Sequence, residues 1–124
     1  MEHIVIIEVP FLKIPFFGYL RRKQGFSFDM QCWNYLSDYT QLAFNEFDVL
    51  DGEKFITKAI YAGAVSYNLW HGRKVKFNEK NVKNWIDNSY RSEIARLITA
   101  MTKSRIGGKT IEEYFEFEET EKKK

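Results

Sequence analysis

The chain has one cysteine, Cys32, so it can form no intramolecular disulfide and needs no oxidising compartment; a cytoplasmic protein is expected. His3, Cys32 and His71 are scattered and none stands at a paired-ligand spacing. Together they fall short of the usual set of about three to four ligands, so no metal site is expected. Residues 4–20 are apolar, but Glu8, Pro10, Lys13 and Pro15 break them, and no uninterrupted run reaches the ~20 residues of a membrane span. No signal peptide or anchor is read. Gly107-Gly108-Lys109-Thr110 echoes only the end of a phosphate-binding loop, because Lys103 stands where the first glycine belongs and no strand is read before it. Glu112-Glu113 and Glu118-Glu119 lie in a charged tail, not in a dry cleft where a carboxylate becomes a useful acid or base. No cofactor and no enzymatic activity are therefore expected. One catalytic alternative stays open, Cys32 as nucleophile with His71 as its base; the competing reading is a buried thiol and a histidine near a helix C-terminus.

What is present is an ordinary globular balance with an aromatic excess. Among 124 residues, 44% are hydrophobic and 29% charged, enough apolar surface for one folded domain. The aromatic share is 17%, with eleven Phe, seven Tyr and three Trp. Such residues serve cores and interfaces alike. The net charge of +2 is unevenly laid out: residues 1–27 carry +2, 28–72 carry −4, 73–109 carry +7 and 110–124 carry −3. Ten Lys or Arg against three acidic residues in 73–109 make nucleic-acid binding an alternative function, although no familiar reading-helix motif accompanies them.

Periodicity predicts a mainly α fold of about four helices with a short extended or β-hairpin N-terminal arm. Residues 3–9 are β-branched and read as a strand stopping at Pro10, with a second short strand at Phe11–Ile14; Phe16 to Phe28 reads as loop. Ser27 or Asp29 caps a first helix over about 29–46, with Trp33, Leu36, Ala43 and Phe47 inward. Asp48 or Asp51 caps the second. Its two stripes are Phe55, Ala59, Ala62, Ser66, Leu69 and Ile56, Ile60, Gly63, Tyr67, Trp70. Small residues Ala59, Ala62, Gly63 and Ala64 invite a close helix neighbour, and Gly72 ends the element. Asn78 caps a third helix over 79–87 with Val82, Trp85 and Ile86 on one face. Ser89 or Ser92 starts a fourth, with Ile94, Leu97, Ile98 and Met101 inward, ending near Gly107-Gly108.

The stretch Ile60–Asp87 contains Tyr61-Ala62-Gly63, then Trp70 and Gly72 at a short polar turn. It continues with Phe77-Asn78 and with Val82-x-x-Trp85-Ile86-Asp87. This layout resembles the tail assembly chaperones of long-tailed bacteriophages, over roughly residues 26–90 and including the acidic loop at Asp48 to Glu53. The resemblance implies a helical core with a small extended N-terminal element. It further implies a protein of the host bacterial cytoplasm, absent from the mature virion, that binds the tape measure protein and helps recruit tail tube subunits without catalysis.

The expected layout is an extended arm and basic loop (1–26), a helical core (27–108) and a charged tail (109–124). Partner contacts and self-association are expected at Phe11, Phe16, Phe17 and Tyr19, and at Tyr114, Phe115 and Phe117 in the tail. Trp70 and Trp85 are expected to be buried on either side of Gly72, and removal of residues 1–17 to leave a folded helical core. Lys122-Lys123-Lys124 reads as a solubilising end, and the resemblance to the phage chaperones implies an alternative, that its codons are ones on which ribosomes slip into a longer product.

Overall fold

Val5, Ile7 and Val9 are buried while Ile6 and Glu8 are exposed, and this period of two builds strand β1, Ile4–Ile14. It pairs antiparallel with β2, Gly18–Ser27, from Ile4 opposite Ser27 to Ile14 opposite Gly18. The computed structural model describes residues 4–43, 46, 52–106, 109 and 110. Strand β1 was expected to stop at Pro10 and instead runs through it. The register shifts between Pro10 and Leu12, an irregularity of the kind that accommodates a residue without an N–H donor. Strand β2 occupies the stretch read as loop. Its glycines and its Arg21-Arg22-Lys23 run conceal a strand whose formation is decided by pairing rather than propensity.

Helix α1, Met30–Thr40, is capped by Asp29, whose carboxylate accepts from the Cys32 N–H at 2.9 Å. It ends before the expected residue 46. Gln41 is left-handed (φ 61), its amide donates to the Asp38 carbonyl, and the Thr40 hydroxyl donates to the Leu36 carbonyl. Helix α2, Gly52–Trp70, buries Phe55, Ala59, Ala62 and Ser66 of one expected stripe and Ile60, Gly63 and Tyr67 of the other, while Ile56 is half-buried and Leu69 and Trp70 are exposed. The proposed caps Asp48 and Asp51, and the inward Phe47, lie outside the described residues. Gly63 does permit a close neighbour, but the neighbour is the Phe28 ring rather than a helix. A Cβ there would sit 2.6 Å from Phe28 Cε1.

Helix α3, Glu79–Asn88, opens with a reciprocal capping box in which the Asn78 and Asn81 side chains each accept from the other's backbone N–H at 2.9 Å. Helix α4, Arg91–Thr102, starts at Tyr90 without a side-chain cap, so neither Ser89 nor Ser92 serves; Ser89 instead closes α3 through its N–H to the Trp85 carbonyl. After α4, β3 (Arg105–Ile106) pairs antiparallel with β4 (Lys109–Thr110).

The mainly α class expected from the sequence is therefore corrected to α+β. Four helices are present, but two strands of 11 and 10 residues are packed into the same core, and Ile7, Val9 and Phe26 are among its most buried side chains. Phe28 stacks on Trp33 (6.2 Å between centroids) and Trp33 on Phe55 (6.4 Å), while Trp85 meets Phe26 edge-on and Phe77 at 5.1 Å. Helix α2 lies on β2 and α1, and helices α3 and α4 lie on β1. The hairpin is thus a wall of the domain, not an appended arm.

Asp29 joins three elements. Besides capping α1, it accepts from Ser27 Oγ at the end of β2 and from Ser66 Oγ and Trp70 Nε1 on α2. Burial alone raises this carboxyl, but the hydrogen bonds from the Cys32 N–H, Ser66, Ser27 and Trp70 outweigh it and hold the group below its ordinary value. A depressed folded pKa contributes stability that is complete above the unfolded value, about pH 4, and lost as pH falls through the folded one. Asp29→Asn should flatten the dependence of stability on pH below about 4, and Asp29→Ala should cost roughly 1–2 kcal/mol at neutral pH. Acid titrations of wild type and Asp29→Asn that run parallel would contradict this.

Candidate functional site

Beyond Pro10 the hairpin leaves the helices behind, and no side chain from Phe11 to Leu20 is buried. Leu12 lies opposite Leu20 across the strands, and Ile14 opposite Gly18, so apolar residues share one face of the projecting tip. The strands turn through Pro15-Phe16-Phe17, closed by Phe17 N–H to the Ile14 carbonyl at 3.2 Å. Phe16 is 103% exposed and Phe17 84%. Of the sequence candidates, Phe11, Phe16 and Phe17 are brought together here with Leu12 and Leu20, while Tyr19 is half-buried. Tyr114, Phe115 and Phe117 lie outside the described residues.

Phe16 adopts φ 72, and Gly18 φ 86. The left-handed region is open to glycine but costs an L-residue about 1–2 kcal/mol, and a bulky aromatic placed there in full solvent gains no packing in return. A strained residue that does nothing for its own fold points to use by another molecule. Phe16→Gly should therefore raise stability by about 0.5–1 kcal/mol, read as a higher urea midpoint with an unchanged slope. A lower midpoint would show that Phe16 supports the hairpin.

A second surface has the opposite chemistry. Arg22 and Lys23 of β2 face Arg73, Lys74 and Lys76 of the α2–α3 connection across a groove of about 340 Å³. Its floor is a buried amide pair, Gln24 Nε2 donating to Asn68 Oδ1 at 3.1 Å. Asn68 also fixes the connection, since its Nδ2 donates to the Lys74 carbonyl and its own carbonyl accepts from the Arg73 N–H at 2.8 Å. Left-handed Gly72 (φ 64) supplies the turn. Among the described residues none of the five cations pairs with a carboxylate. The excess of positive charge in 73–109 was visible in sequence, but its meeting with Arg22 and Lys23 was not.

The remaining motif residues differ in burial. Tyr61 packs against Tyr35, Tyr39 and Phe77; Ala62, Gly63, Val82 and Trp85 are buried, Ile86 is half-buried and Asp87 is exposed. The expectation of a buried Trp70 is corrected: it is 67% exposed, with its Nε1–H donating to Asp29. Cys32 is fully buried against the Ala59 carbonyl, and burial pushes its thiol well up, which withholds the thiolate a nucleophile needs. His71 stacks on Tyr67. No described group of His, Cys, Asp or Glu could hold a metal ion, and no described helix is long and apolar enough to cross a membrane. Compared with models of known families, with curated proteins and with solved structures, the chain finds no match.

Proposed function

We propose that this protein is a non-catalytic assembly chaperone of a long-tailed bacteriophage. It binds the tape measure protein in the host cytoplasm, helps bring tail tube subunits to it, and is absent from the mature virion. The observation that carries the binding role is the projecting hairpin tip, where Phe16 and Phe17 stand in solvent and Phe16 bears backbone strain. Rigid aromatic side chains of this kind anchor protein interfaces because they bury large areas at small entropic cost. The identity of the partner comes from the resemblance carried by Tyr61-Ala62-Gly63, Gly72 and Val82 to Asp87. A long amphipathic helix offers repeated apolar stripes on which such a tip docks. Self-association through the same tip belongs to this function, since neighbouring copies on one long partner come into contact.

Co-expression with the tape measure protein of the same genome tests the proposal. The wild-type chain should keep that protein in the soluble fraction and co-purify with it, and Phe16→Ser/Phe17→Ser should do neither. Equal recovery with both chains would remove the tip from the function. The second reading, nucleic-acid binding, is favoured only by the five cations of the groove. It requires DNA affinity that falls linearly with the logarithm of salt concentration.

A further inference from the structure

We propose that the basic groove between β2 and the α2–α3 connection is the docking site of the chain's own acidic segment, residues 111–121. This inference is independent of the hairpin tip and of the tape measure protein. The segment reads Ile-Glu-Glu-Tyr-Phe-Glu-Phe-Glu-Glu-Thr-Glu, six carboxylates interleaved with three aromatic residues. The groove offers the complement. Arg22, Lys23, Arg73, Lys74 and Lys76 supply five positive charges with no carboxylate among the lining residues, and Phe77 adds an apolar element to the wall. The Asn68 bonds to the backbone of Arg73 and Lys74 hold that display in place before anything binds, which lowers the entropic cost of docking.

Size and reach favour this occupant. A groove of about 340 Å³ accommodates a few side chains of a peptide. The segment follows Thr110 directly, and eleven residues extend to roughly 36–40 Å. A domain of this length has a radius of gyration of about 14 Å, so the fully extended segment is about as long as the domain is wide. Tethering also gives it an effective concentration in the millimolar range, ahead of the same segment on a second copy. Charge adds discrimination, because a groove already neutralised by its own tail attracts stray polyanions weakly.

Paramagnetic broadening in the full-length protein tests this. A spin label placed through Thr120→Cys reports the position of the segment without altering its charge, and Cys32 is fully buried and so shielded from labelling. At low salt the amide signals of Arg22–Gln24 and Lys74–Phe77 should lose more than half their intensity and recover in ~0.5 M salt, where screening is strong. The loss should largely vanish in Lys74→Glu/Lys76→Glu. It should be absent when the spin label sits on an isotopically silent copy mixed with an isotopically labelled reporter that carries no spin label. Three results would overturn the proposal: no broadening at the groove; broadening only in the mixed sample, which assigns the groove to a second copy; or groove signals that shift only when a short oligonucleotide is added.

Discussion

Removing residues 1–17 should abolish the cooperative unfolding transition rather than leave a smaller folded domain. The deletion takes away all of β1, and with it Val5, Ile7 and Val9 from the core. Burial of each such side chain contributes about 1.5–3 kcal/mol, and together they approach the whole stability of an ordinary domain, about 5–15 kcal/mol. Strand β2 would also lose the partner for its backbone groups, leaving Phe26 without support beneath Trp85. Circular dichroism through a thermal scan measures the outcome. A truncated protein that still melts in one sharp step would mean that the helices hold the fold alone.

Trp85→Ala should cost about 3–5 kcal/mol, whereas Trp70→Ala should cost about 1 kcal/mol or less. Trp85 is 4% exposed, wedged between Phe26 of β2 and Phe77 at the start of α3, so truncation leaves a cavity where three elements meet. Trp70 projects past the end of the packed surface and loses chiefly one hydrogen bond to Asp29. Urea midpoints of the two variants separate the cases. Similar losses at both positions would contradict the packing described.

The two tryptophans also show which features were legible in the sequence. Trp85 lies one helical turn from Val82 in a short element whose Asn78–Asn81 cap is local, so spacing and burial agree. Trp70 continues a correct stripe through Ile60, Gly63 and Tyr67, but periodicity gives a face and not the point at which the neighbouring element stops. Strand β2 failed for a related reason. Tyr19 to Lys23 has no apolar alternation, because its half-buried positions are Tyr19 and Arg21, and only pairing with β1 makes it a strand. The exposed Phe16 and Phe17 were expected from apolar surplus in the N-terminal region, while the strain at Phe16 arises from turn geometry that composition does not encode. The basic groove joins residues some fifty positions apart, and nothing in a linear charge count reveals that junction.

The proposed function makes the aromatic hairpin tip the surface that grips a protein partner. The dissociation constant for purified tape measure protein, measured with wild type and with Phe16→Ser/Phe17→Ser, tests it most directly, alongside melting curves for both chains. Two solvent-exposed anchors worth about 1.4 kcal/mol each on docking predict roughly a hundredfold weaker binding, with thermal stability unchanged or slightly higher. An unchanged constant in a variant that remains folded would contradict the claim.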